Sequence, residues 1–261
     1  MNKCNQKKIV LIIGGHDPSG GAGIQADIES VTHAGCQAVS VITSLTAQNT
    51  RKVTDIIPQD PELFRSQLKL ILEDMWIDAC KIGMLGNPQL VDVIYDELSD
   101  KHFPIVLDPV LHSGSGTSFV NDVLLEKIIN LLVPLATILT PNSIEARTLT
   151  KEDKLVNAGK KLIHLGTSAV LITGTHEKSG DSVINTLYLN NETSFDYLWQ
   201  RLPDTYHGSG CTLSSRIAAL LALGDDLKSA VEKAQEYTWN TLKYGVKLGH
   251  GQLHPNRFFD K

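Results

Sequence analysis

The sequence predicts an α/β protein: a central, mostly parallel sheet with helices on both faces and one small flap. Three observations predict it. Short β-branched runs alternate with segments of helical spacing along most of the chain. No linker, low-complexity stretch or internal repeat divides it, so residues 1–261 read as one domain. Polar clusters rich in glycine and proline recur at the carboxyl ends of the strand-like runs, where such sheets bind ligands.

Taken in order, "KIVLIIGG" reads as a buried strand running into glycines. "GAGIQADIESVTHAG" then places Ile24, Ile28 and Val31 at helical spacing and stops at Gly35. "AVSVIT" is a second strand. The stretch that follows, about 43–57, alternates polar and β-branched residues and predicts a hairpin or flap. "PELFRSQLKLILEDM" is an amphipathic helix with Leu63, Leu68, Ile71 and Leu72 near one face. "DACKIGML" is a strand, followed by a helix over Pro88–Leu98. "PIVLDPVL" and "ATILTPN" are strands, and "SIEARTL" opens a helix. "AGKKLIHLG" is helical and "SAVLITG" a strand. "DSVINTLYLNNETSFDYLW" reads as a hairpin turning at Asn190-Asn191. Two helices close the chain, Thr212–Leu223 and about Leu227–Leu248.

Composition excludes several classes. The net charge is -5 and no polybasic run is present, so nucleic acid is not an expected partner. No segment approaches the ~20 apolar residues of a membrane span, and the apolar stretch Ile9–Ile13 is too short for a signal peptide. Cys4, Cys36, Cys80 and Cys211 form no CxxC pair, which argues against a zinc site or a disulfide framework. A soluble cytoplasmic protein with reduced thiols is the expectation.

The chemistry-bearing stretch is "YHGSGCTLSSRIAALLAL", Tyr206 to Leu223. Gly208, Ser209, Gly210 and Cys211 stand directly before an apolar-striped helix. The first turn of a helix leaves backbone N–H groups without partners at the positive end of its dipole, which suits an anion such as phosphate. The same residues also suit an ordinary tight turn. A thiol at a helix start is expected to have a lowered pKa and to serve as base or nucleophile. Otherwise it is a small buried hydrophobe. No GxxxxGK[ST] motif occurs, so this is not a P-loop enzyme. Gly21, Gly23 and Ala26 fit the G-x-G-x-x-A dinucleotide pattern. The acid that the pattern requires about 20 residues on is missing, which disfavours a dehydrogenase. His250 and His254 are spaced like metal ligands but lack a third ligand.

Together, "DPSGGAGIQAD", "TAQNT", "KIGML", "LDPV", "LTPN..EA" and "HGSGCTLS" resemble the hydroxymethylpyrimidine/phosphomethylpyrimidine kinases of thiamine biosynthesis, in the ribokinase-like superfamily. The likeness runs from about Ile9 to Gly251. It implies a three-layer α/β sandwich, ATP as co-substrate, Mg²⁺, a small-molecule substrate and a homodimer. The substrate implied is 4-amino-5-hydroxymethyl-2-methylpyrimidine, then its monophosphate. Carried over residue by residue, Gly208, Ser209 and Gly210 resemble the anion hole, and Cys211 stands where most of the superfamily has an aspartate base. Gln48 matches the pyrimidine-binding glutamine; an amide donates and accepts at once, as an aminopyrimidine edge requires. Gly15, Asp27, Met84 and Val110 fall in the substrate pocket. Asp108, Asn142, Thr173 and Gly174 fall at the nucleotide, and Glu145 at the metal. Without the resemblance, Asn142 and Glu145 read as caps of the following helix, Asp108 as a strand-end acid and Met84 as core.

The chain departs from the family at three places. Thr173 stands where lysine is usual, and Gly114-Ser115-Gly116 where lysine-serine-glycine is usual, removing two charges expected to meet phosphates. His16 stands where threonine is common, either as a ligand to substrate or phosphate or as a tolerated loop residue. Lys81 of "KIGML" has no assigned role. Two rival readings remain: a pyridoxal kinase of the cysteine type, and a weakly catalytic pyrimidine-binding protein.

Overall fold

The computed structural model describes residues 7–112 and 119–261. Cys4 and Gly114-Ser115-Gly116 therefore lie outside the described residues. Nine strands form one sheet: β1 (Ile9–His16), β2 (Gln37–Gln48), β3 (Val53–Pro58), β4 (Ala79–Ile82), β5 (Ile105–Leu107), β6 (Ile138–Leu139), β7 (Ala169–Ile172), β8 (Ser182–Leu189) and β9 (Ser194–Gln200). Their order is β3-β2-β1-β4-β5-β6-β7-β8-β9. The six strands from β2 to β7 in that order are parallel, while β3, β8 and β9 are antiparallel to their neighbours.

The period of two along each strand divides the core. From β1, Leu11 and Ile13 face one layer and Val10 and Ile12 the other. The first layer holds α2 (Pro61–Asp74), α3 (Pro88–Leu98), α4 (Asp122–Lys127), α5 (Ser143–Thr150) and α6 (Leu155–His164), through residues such as Phe64, Leu90, Leu124, Ala146 and Leu162. The second layer holds α1 (Gly23–His33), α7 (Ser209–Ala222) and α8 (Leu227–Lys243), through Ile24, Val31, Ile217 and Val231. This is the expected three-layer arrangement.

Three details depart from the sequence expectation. No element was assigned between "LDPV" and "ATILTPN", yet α4 lies there and continues into a π-helical turn, Ile128–Leu132. The final helix stops at Lys243, before Leu248, because Val246 pairs with His254 in a short antiparallel bridge. The glycine loop belongs to α7 itself: Gly208 is the N-cap, and Ser209, Gly210 and Cys211 are its first turn. The flap over 43–57 is the β2–β3 hairpin of the main sheet. Its tip is clasped from the C-terminal segment, where the Gly251 amide donates to Thr50 Oγ1 at 3.0 Å and the Gln252 amide to Thr50 O at 3.1 Å. Among the described residues, no helix is long and apolar enough to cross a membrane.

Candidate active site

A cleft of about 880 Å³ opens at the carboxyl ends of the parallel strands. It brings together residues that stand as far apart in sequence as Gly15 and Cys211. Gly15, His16, Asp27, Gln48, Met84, Asp108, Val110, Asn142, Glu145, Thr173 and Gly208 to Cys211 all line it. Gly174 does not. Its amide donates to Asn185 Oδ1 at 3.0 Å, and a Cβ there would stand 2.1 Å from Ile184 O, so this glycine serves a close backbone approach behind the cleft wall.

At one end of the cleft the first turn of α7 is bare. α2, α3, α4, α5 and α8 begin with a side chain that accepts from their first amides, but Gly208 offers none. The amides of Ser209, Gly210 and Cys211 thus precede the first intrahelical bond, Thr212 N to Gly208 O at 3.0 Å. Gly208 has φ +91°, and a Cβ there would stand 2.0 Å from Gly21 O. Only glycine fits where these two loops cross.

A buried polar cluster underlies that turn. Lys81 Nζ donates to both carboxylate oxygens of Asp27, at 2.8 and 2.9 Å, and Ser215 Oγ donates to Asp27 Oδ1 at 2.7 Å. Burial works against the Lys81 charge, but Asp27, Cys211 and Asp108 together raise its pKa. Asp27 therefore reaches the cleft with its oxygens already engaged. Asp108 accepts from Ser214 Oγ at 3.3 Å; burial, with the Asp27 charge adding to it, pushes its carboxyl up to about 6.

Cys211 overturns one sequence expectation. Its pKa is not lowered: burial pushes the thiol up to about 12, and the Asp27 and Asp108 charges add to this. Lys81 and the Gly23 amide act in the opposite direction without prevailing. At neutral pH Cys211 is a thiol. The helix-start rule fails here because the cleft floor is poorly solvated and carries two carboxylates.

Asn142 and Glu145 form a complete capping box at the start of α5. Asn142 Oδ1 accepts from the Ile144 and Glu145 amides, each at 2.9 Å, and Glu145 Oε2 accepts from the Asn142 amide at 2.9 Å. Glu145 Oε1 lies 3.4 Å from the Leu111 amide. Burial, and after it the Asp108 charge, pushes Glu145 up to about 8. The capping role and the cleft position thus coexist. Thr173 joins Asn142 in a parallel bridge, which leaves its side chain on the cleft wall. Gln48 ends β2, and its side-chain amide has no hydrogen-bond partner among the described residues.

Several cleft residues had no assigned role in the sequence. Lys81 is one. Asp17 Oδ2 lies 2.9 Å from His207 Nε2; burial would raise the Asp17 pKa, but the bonds from His207 and Ser19 hold it well below the usual carboxylate range. Arg201 ties down the loop over 175–182, donating to Thr175 O at 2.8 Å, Glu177 O at 3.0 Å and Gly180 O at 3.1 Å. Trp199 and Trp239 stack with ring centroids 6.4 Å apart at the far end, where Trp199 Nε1 donates to Gln235 Oε1 at 3.1 Å. His254 does not pair with His250 in a metal site; it is buried against His207, with ring centroids 6.2 Å apart.

Known proteins resemble this chain in sequence and in fold. The family description "Phosphomethylpyrimidine kinase" matches residues 17–256. A hydroxymethylpyrimidine/phosphomethylpyrimidine kinase of Aquifex aeolicus is 36% identical over 250 residues, covering 93% of this chain and 97% of the relative. Among solved structures, a phosphomethylpyrimidine kinase from Clostridium difficile 630 superposes with a TM-score of 0.78 at 34% identity, covering 89% of this chain and 98% of its own. A Bacillus subtilis pyridoxal kinase, solved as an ADP complex, superposes with a TM-score of 0.89 at 29% identity, covering 97% and 98%. The family match covers both glycine loops and most of the chain, and on that ground the chain belongs to the phosphomethylpyrimidine kinase family.

Proposed function

We propose that this chain transfers the γ-phosphoryl group of ATP to the hydroxymethyl group of 4-amino-5-hydroxymethyl-2-methylpyrimidine, and then phosphorylates the resulting monophosphate, in thiamine biosynthesis. The observation that carries this reading is the convergence of the pyrimidine-side residues and the bare first turn of α7 on one cleft. Gln48 offers an unpartnered amide to the aminopyrimidine edge, with Met84 and Val110 against the ring. The Ser209, Gly210 and Cys211 amides hold the charge gathering on the transferring phosphoryl group.

Phosphoryl transfer passes through a loose transition state in most analyses, so it asks little of a base early on. A neutral Cys211 fits that demand. The thiol orients the attacking hydroxyl, whose proton passes late to the minor thiolate form of Cys211 and regenerates the thiol; the Lys81 charge favours that thiolate form. Asp108 and Glu145 fit a divalent cation: both are buried, and the Asp108 charge raises the cost of ionising Glu145. Among the described residues no three His, Cys, Asp or Glu gather into a ligand set. Mg²⁺, held by one or two carboxylates with phosphate and water, suits such a site. When bound, it neutralises charge on the ATP phosphates. The chain acts as one domain over residues 1–261, in the cytoplasm, as the homodimer that the family resemblance implies.

A second reading has its own support. The pyridoxal kinase superposes with a TM-score of 0.89, and an arm bearing CH₂OH on an aromatic ring is common to both substrates. One assay separates them: purified chain, Mg-ATP, and the pyrimidine beside pyridoxal at equal concentration, with products resolved by mass. Faster phosphorylation of the pyrimidine, ending at the diphosphate, is expected. Faster phosphorylation of pyridoxal would overturn the reading.

A further inference from the structure

Arg257 lies beyond the last helix and does not line the cleft, yet its buried guanidinium reaches three elements that build it. Nε donates to Thr212 Oγ1 at 3.0 Å, and Nη1 donates to Glu29 Oε2 of α1 at 3.0 Å. Nη2 makes a short bond to Gly21 O. Thr212 Oγ1 in turn donates to Gly208 O at 2.8 Å. Gly21 O is also the atom that leaves no room for a side chain at Gly208. One cation therefore fixes both sides of the crossing between the Gly20–Gly23 turn and the start of α7.

The segment carrying Arg257 is itself anchored. Leu253 N donates to Thr205 O and His207 N donates to Leu253 O, each at 2.9 Å, immediately before Gly208. Asn256 N donates to Thr241 O at 2.9 Å, and the Arg257 carbonyl accepts from Tyr237 OH at 2.8 Å. The guanidinium fork is planar and rigid, so its three bonds set direction as well as distance. A lysine at this position would supply charge but not the geometry.

We propose that Arg257 is a positioning residue for phosphoryl transfer: through Thr212 and Gly21 it sets the direction of the Ser209, Gly210 and Cys211 amides. This inference rests on the kinase reading of the cleft. Misplacing catalytic donors by about 1 Å costs on the order of 10²-fold in rate. Substrate binding on the Gln48 side involves none of the three bonds.

The test compares wild type with Arg257→Met, Arg257→Ala, Arg257→Lys and the isosteric Thr212→Val, measuring kcat, both KM values and Tm. The expected result for Arg257→Met is a fall in kcat of about 10²-fold, with the pyrimidine KM little changed. Arg257→Lys is expected to recover only part of the rate. Millimolar guanidinium added to Arg257→Ala should restore turnover where equal sodium does not, a response that lost stability alone would not give. Should the arginine variants fail to fold, a kcat loss in Thr212→Val decides for the proposal and an unchanged kcat decides against it. Folded variants with wild-type kcat overturn this inference alone. A wild type that phosphorylates neither ring substrate overturns the kinase reading, and this inference with it.

Discussion

Replacing Glu145 by glutamine separates the cost of a buried charge from its use. Glutamine retains the capping box, since either Glu or Gln serves at that position. The Glu145 pKa rises from an ordinary 4.5 to about 8 in the folded chain. Between those values the folded state holds a proton that the unfolded state has lost, so stability falls as pH rises. The contribution is fully present below 4.5 and is lost through about 8. At roughly 1.4 kcal/mol per unit, the cost is below about 1 kcal/mol at pH 5 and reaches roughly 3 kcal/mol near pH 7. For a chain of this size each kcal/mol moves Tm by about 2–4 °C. In chelator, Glu145→Gln should therefore melt several degrees above wild type at pH 7.5 and close to it at pH 5. Thermal melts at the two pH values measure the difference directly. With Mg²⁺ and ADP present the wild type should close the gap, while the variant's kcat falls. A glutamine variant that is less stable at pH 7.5, or a difference independent of pH, would refute the reasoning.

Five further outcomes follow from the same cleft. Alkylation of Cys211, followed by peptide mass mapping, should be slow at pH 7 and rise about tenfold per pH unit to pH 9, as a thiol near 12 requires; a plateau below pH 8 would place the thiol much lower. Cys211→Ala should lower kcat by ~10²-fold or more if the thiolate form of Cys211 takes the proton, with Cys211→Asp restoring part of it; wild-type turnover in the alanine variant would leave the cysteine a packing role. Lys81→Met strands the buried Asp27 carboxylate and should cost about 3–5 kcal/mol in urea unfolding, and a loss below 1 kcal/mol would show that Asp27 is protonated or rehydrated. Gln48→Ala should raise the pyrimidine KM more than the ATP KM, and Thr173→Lys should lower the ATP KM; equal rises for both substrates in the first variant would indicate a distorted cleft.

Much of this could be read from residue patterns, for identifiable reasons. A strand such as Ile9–His16 announces itself because burial on both faces demands a continuous apolar run. The cleft residues were legible where a local motif carries them, as at Gln48 and Gly208. What escaped depends on contacts between distant parts of the chain. Lys81 meets Asp27 across 54 positions, and Arg257 meets Gly21 across 236. No spacing rule foretells either. The helix-start rule misleads at Cys211 because it competes with burial that only the assembled sheet creates. The helix at Asp122–Lys127 carries no clear sequence signal because apolar residues crowd the span from Val123 to Val133 without a clean stripe, and the π-turn shifts their phase.

The stacked indoles of Trp199 and Trp239 give the cleft a native optical signal. The chain has three tryptophans, and the third, Trp76, is 84% exposed at the end of α2. Acrylamide will therefore quench Trp76 first and leave an emission dominated by the pair in the cleft. If a nucleotide enters beside those rings, it should exclude water from them and change that residual emission, while Trp76 reports only solvent. Such a change would let binding be followed without a label and in the absence of turnover, including in variants whose chemistry has been abolished.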